Sequence, residues 1–188
     1  MPRRARLVFP SVPRHITQRG EGRRTIFFDD DDRRRYLLLL TDACRANGTS
    51  CLAWCLMGNH LHLVLTPATA DGLRATLAGA HTAYTGWLNA RRGETGPVFQ
   101  GRFGSEPMGD RNWVAAVRYV EMNPVRAGLC ARAEDWPWSS ARAHVAGLSD
   151  GLTDVDALGR HVPNWRAFLA DGAEAADRDD AREARFRR

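Results

Sequence analysis

Two histidines separated by one leucine, His60-Leu61-His62, are the residues of this chain whose types and spacing could do chemistry. They sit in a stretch, residues 51–66, that reads as two short strands broken at Met57-Gly58-Asn59. Strand side chains alternate faces, so both imidazoles point one way while Leu61, Leu63 and Leu65 point the other and pack. Two neutral imidazoles on one pleated face are half of a divalent-metal site. The same pair also reads as ordinary surface or structural histidines, and the rest of the chain has to decide.

A nucleophile within reach would make such an ion useful. Tyr119 and Asn123 stand four apart in a segment that reads as a helix from 110 to about 123, so they share a face. Trp113, Val117 and Val120 form a separate apolar stripe that can anchor this helix. If it crosses the sheet near the histidines, Asn123 supplies a third ligand and Tyr119 brings its hydroxyl to the ion. A phenol with a pKa of about 10 is a poor nucleophile at neutral pH. It becomes effective against a phosphate polarised by a metal, or once a base removes its proton. The competing reading of Tyr119 is a half-buried structural phenol. The competing reading of Asn123 is an N-cap with Pro124 in the first helical position. Tyr84 is the fallback nucleophile, with no ligand partner four residues on.

Several elements must position these groups. Residues 12–19 read as a first strand and 29–46 as a helix with four acids, Asp29 to Asp32, at its positive end. A catalytic acidic cluster is the alternative for that run. Strands at 51–57 and 60–66 follow, joined by the tight Gly58-Asn59 turn. A second helix over 71–92 places Leu73, Leu77, Ala80, Tyr84 and Leu88 on one stripe. Residues 98–108 read as a fourth strand, Asp110 as a cap for the third helix, and Pro124 as its interruption. The order β-α-β-β-α-β plus a helix is the ferredoxin-like α+β arrangement: a four-stranded antiparallel sheet, two helices on one face, and the third helix near the other. We expect one domain over residues 1–146. Residues 147–188 read as an appendage, its charged last 18 residues poorly ordered.

The 188 residues carry a net charge of +5, and all 27 basic residues are arginine. Arginine forks onto phosphate and stacks on bases, so the bias favours nucleic acid. Residues 1–28 hold seven arginines against one acid, Glu21, which makes them a candidate phosphate-contacting arm or a solvated basic tail. Arg14, His15, Gln18 and Arg19 in the first strand are candidate DNA contacts. So are Gln100 and Arg102, which alternation separates from Phe99 and Phe103. The four cysteines match no paired zinc or disulfide spacing, which suits a reduced, cytoplasmic protein. No apolar run is long enough for a secretory leader or a membrane span, and no phosphate-binding G-x-x-x-x-G-K-[ST] loop is present.

Five blocks, in order over residues 10–145, carry a family resemblance. They are His15-Ile16-Thr17-Gln18-Arg19-Gly20, Met57-Gly58-Asn59-His60-Leu61-His62-Leu63-Val64, Gln100-Gly101-Arg102-Phe103, Tyr119 through Gly128, and Trp138-Ser139-Ser140. The chain resembles the single-tyrosine HUH (IS200-like) transposases, and within them the REP-associated tyrosine transposases. The resemblance implies that His60 and His62 bind Mg2+ or Mn2+ and that Tyr119 attacks single-stranded DNA, leaving a 5′-phosphotyrosine and a free 3′-hydroxyl. Many relatives place a metal-binding Gln four residues after the tyrosine. Here that position is Asn123, a shorter amide. The implied substrate is a folded repeat hairpin, with no nucleotide cofactor and no membrane partner; oligomeric state is left open. Two rival readings are a non-catalytic binder of hairpin RNA or single-stranded DNA, and a structural zinc protein using Cys51, Cys55, His60 and His62.

Overall fold

Alternating and helical apolar patterns meet in a single sheet, described here from a computed structural model that covers residues 7–108 and 113–171. Strand β1 spans Arg14–Arg19, β2 Thr49–Leu56, β3 His60–Pro67 and β4 Gly104–Pro107. They lie in the order β2-β3-β1-β4, all antiparallel. Helices α1 (Asp30–Ala46) and α2 (Gly72–Arg92) connect β1 to β2 and β3 to β4, giving the expected ferredoxin-like order. Residues 1–6 of the basic arm, the Asp110 cap and the charged tail from 172 lie outside the described residues.

One face of the sheet presents Ile16, Leu61, Leu63 and Leu65 to Tyr36 and Leu40 of α1 and to Leu73, Leu77 and Tyr84 of α2. Each fully buried leucine there contributes ~1.5–3 kcal/mol relative to exposure. The acidic run at residues 29–32 caps α1. Asp29 accepts from the Asp32 amide, Asp32 accepts from the Phe28 amide, and Arg91 of α2 pairs with both carboxylates. That accounts for Asp29 and Asp32 structurally.

The other face carries Ala53, Cys55 and Val64 beneath helix α3 (Trp113–Arg126) and the C-terminal helices α4 (Ala141–Ala146), α5 (Asp156–Gly159) and α6 (Trp165–Ala170). The stretch 147–171 is fastened to the sheet: Trp54 Nε1 donates to Thr153 and Asp150, and the Asp154 amide donates to the Cys51 carbonyl. Trp138-Ser139-Ser140 runs along the outer edge of β2, where the Leu56 amide donates to the Trp138 carbonyl and the Ser140 amide to the Trp54 carbonyl. That pairing blunts an edge strand.

Three local expectations are corrected. The fourth strand is shorter than residues 98–108: Gly101 has φ +49°, and Phe99 reaches the sheet through a single bridge to Gly20. A bulge between Cys51 and Ala53 turns Cys51 to the α1/α2 core and Cys55 to the α3 core, so the two thiols do not share a face. Pro124 does not interrupt α3, which continues to Arg126. Proline cannot donate to the Val120 carbonyl four residues back. The Asn123 side-chain amide donates there instead, at 3.4 Å, and to the Tyr119 carbonyl at 2.9 Å. Asn123 is therefore an interior helical residue, not an N-cap.

Candidate active site

The strand register brings the histidines together. His62 lies opposite Thr17 and His60 opposite Arg19 across the β1–β3 pair, so His15 is the diagonal neighbour of His62 on the same face. The His15 and His62 rings stack with centroids 5.4 Å apart, and His15 Nε2 sits 3.1 Å from His62 Nδ1. His60 stands edge-on to His62 at 5.1 Å. Tyr119 descends from α3 and meets both faces of this group: its ring lies 5.7 Å from His15 and 6.0 Å from His62, edge-on to each. Tyr119 is half-buried, whereas Tyr84 is sealed in the α1/α2 core with its hydroxyl given to the Ile26 carbonyl at 2.5 Å. Burial raises the Tyr84 phenol far above its ordinary pKa, which removes it as a nucleophile.

The loop before β3 sets the proton positions. Asn59 donates its amide to the Arg23 carbonyl at 3.1 Å, which turns Oδ1 toward His60 Nδ1 at 2.7 Å. An acceptor at Nδ1 puts the His60 proton there and the lone pair on Nε2. Gly20 makes this loop possible: its amide donates to the Asn59 carbonyl, and a Cβ on it would lie 2.1 Å from the Arg24 carbonyl oxygen. His62 is 5% exposed, and burial holds its pKa well below the usual histidine range, with the neighbouring His15 and His60 adding to the effect. It is thus neutral at pH 7. With Nδ1 engaged by His15, Nε2 is the remaining ring nitrogen of His62.

These residues fit a divalent ion. Neutral imidazoles with outer acceptors fixing their tautomers are what metal ligation asks of histidine. Among the described residues, no cluster of three His, Cys, Asp or Glu side chains is arranged to hold an ion. A third ligand would therefore be a neutral oxygen, and Asn123, one turn beyond Tyr119, offers Oδ1 while its nitrogen is committed to α3. The zinc alternative loses its thiols: Cys55 is buried and its thiol is pushed far above the ordinary range, while Cys51 faces the other core.

A cleft of about 540 Å³ opens beside the pair, lined by Arg19, Arg23, His60, His62, Gln100 and Arg102 among others. Of the expected DNA contacts, Arg19, Gln100 and Arg102 line this cleft, His15 is engaged by His62, and Gln18 at its edge is buried and donates its amide to the Gln100 carbonyl at 3.1 Å. Arg14 does not. It faces the opposite side of β1, is 4% exposed, and donates to Ser105 Oγ at 2.8 Å. Alternation along a strand that also holds His15 forces that outcome. Sequence reasoning assigned no role to two residues beside the site, Asn59 and Arg126, whose guanidinium carbon lies 4.4 Å from the Tyr119 ring centroid. The position of Asn59 immediately before His60 was the available signal; that of Arg126 depended on how far α3 extends.

Residues 10–123 match the family model described as Transposase IS200 like. This chain belongs to the IS200-like transposase family. No curated protein matches it. Among solved structures, it is similar to a REP-associated tyrosine transposase bound to a REP hairpin, with TM-score 0.67 and 21% identity over 82% of this chain and 93% of that one. It is also similar to a provisionally assigned transposase from Deinococcus radiodurans R1, with TM-score 0.45 and 16% identity over 64% of this chain and 96% of that one. The family member described here therefore has the α+β fold of a REP-associated tyrosine transposase. No helix among its described residues is long and apolar enough to cross a membrane.

Proposed function

We propose that this transposase-family protein is a metal-dependent endonuclease and strand transferase for single-stranded DNA, acting in the cytoplasm on repeat-derived hairpins. The observation that carries the reading is the convergence of Tyr119 from α3 with His15 and His62 from the sheet, at 5.7 and 6.0 Å between ring centroids. The hairpin substrate is suggested by the REP hairpin bound to the similar structure.

In this reading Tyr119 Oη attacks a backbone phosphate. The Oη–P bond forms as the P–O3′ bond breaks, the phenolic proton passes to solvent, and the departing 3′-oxygen takes up a proton. The resulting 5′-phosphotyrosine keeps the phosphodiester energy, so a later 3′-hydroxyl can reverse the step without a nucleotide cofactor. His60 and His62, with Asn123 Oδ1, would hold Mg2+ or Mn2+. When bound, that ion supplies charge to offset what builds on the phosphate oxygens. His15 holds His62 in place, and Asn59 fixes the His60 tautomer. Arg19, Arg23 and Arg102 line the cleft through which an anionic strand would run.

The test is incubation with labelled hairpin DNA and Mg2+ or Mn2+, followed by denaturing electrophoresis. A protein–DNA band that survives denaturation and vanishes with chelator is expected. Hairpin binding with no covalent band under any divalent ion would instead make the protein a binding module.

A further inference from the structure

One cation in the site has no carboxylate partner among the described residues. Arg126 lies seven residues, two helical turns, beyond Tyr119 and so on the same stripe of α3. Its guanidinium carbon sits 4.4 Å from the centroid of the Tyr119 ring. Among the described residues, no carboxylate pairs with it, and its Nε is buried without a hydrogen-bond partner. A buried N–H left unpaired is costly and calls for an explanation. The placement exists only because α3 runs through Pro124, with Asn123 donating to the carbonyl that the proline leaves open.

We propose that Arg126 orients both reactants: the face of its guanidinium holds the Tyr119 ring, and its N–H edge takes a non-bridging oxygen of the scissile phosphate. This rests on the tyrosine-nucleophile reading above. Arginine suits the double task. It is planar, so stacking uses the face and leaves the in-plane donors for a phosphate, and it stays charged at every working pH. A cation above the ring also favours the phenolate character that develops at Oη as the Oη–P bond forms. Lysine in its place would keep the charge but lose the stack and the fork.

The experiment compares wild type, Arg126→Lys and Arg126→Met, each as the full chain with Mn2+. It uses hairpin DNA whose scissile linkage is either phosphate or an uncharged methylphosphonate. On phosphate, Arg126→Met is expected to slow covalent adduct formation by about 10²–10³-fold, the effect of losing one oriented charge-stabilising donor. Arg126→Lys should fall between that variant and wild type. On methylphosphonate, the gap between wild type and Arg126→Met should shrink to within a few-fold, because the anionic partner is gone. Millimolar guanidinium ion should restore part of the Arg126→Met rate. A merely structural arginine would give equal losses on both substrates, a lowered melting temperature and no rescue, which would overturn the proposal. Wild-type rates in Arg126→Met on phosphate would overturn it while leaving Tyr119 as nucleophile. No adduct with wild type would remove both.

Discussion

Helix α3 carries two polar clusters on opposite sides, two residues apart, and they are built on opposite principles. On one side Tyr119 stands half-buried against His15 and His62, with the Arg126 guanidinium over its ring. On the other side Glu121, fully buried, accepts from Ser140 Oγ at 2.5 Å, from His144 Nδ1 at 2.5 Å and from Trp165 Nε1 at 2.7 Å. The second cluster reads like a catalytic Ser/His/acid set until its geometry is considered. Serine and histidine both point at the carboxyl, so neither serves the other. It ties α4, α6 and the Trp138-Ser139-Ser140 turn to α3. Donors gathered on one buried carboxylate fasten helices together, whereas the buried Arg126 Nε has no hydrogen-bond acceptor among the described residues and is available to a ligand.

The largest expected effect is at the open cluster. Tyr119→Phe should abolish the covalent DNA adduct, a loss beyond about 10³-fold, with hairpin affinity within a few-fold by gel shift and an unchanged melting temperature. An undiminished adduct would remove Tyr119 from the role. The mirror change, Glu121→Ala, strands three buried donors and should cost about 3–5 kcal/mol of stability, visible as a lower denaturant midpoint. If Glu121→Ala left stability intact while lowering DNA cleavage, the contrast between the two sides of α3 would be wrong.

Smaller changes sharpen the comparison. Asn59→Ala frees the His60 ring and should weaken Mn2+ binding by about 10–100-fold in calorimetric titration. Chelation of the wild type should leave the melting temperature nearly unchanged, since both cores are built from packed apolar side chains. A third polar pair provides a reference for burial alone: His81, whose Nε2 lies 3.0 Å from the Tyr36 hydroxyl, has its pKa lowered to about 4 by burial. A histidine with a depressed folded pKa contributes stability that is complete above its unfolded value, about 6.5, and lost as pH falls toward 4. Thermal unfolding should therefore show stability declining from about pH 6.5 to pH 4, with a shallower slope in His81→Gln.

Much of the architecture was legible in the chain. The β-α-β-β-α-β order, the Gly58-Asn59 turn, the acidic start of α1 and the shared face of His60 and His62 all follow from local periodicity and turn chemistry, which act over a few residues. Register and sidedness did not follow. Arg14 and His15 are adjacent in sequence, yet one is spent on Ser105 and the other meets His62, because the β1–β3 pairing decides which face is the site. The bulge that separates Cys51 from Cys55 and the passage of α3 through Pro124 were also invisible. Each depends on a partner distant in the chain or on a side chain substituting for a backbone donor. Local preferences determined which groups could do chemistry; only the packing of α3 across the sheet decided that a phenol, three imidazoles and a guanidinium would meet.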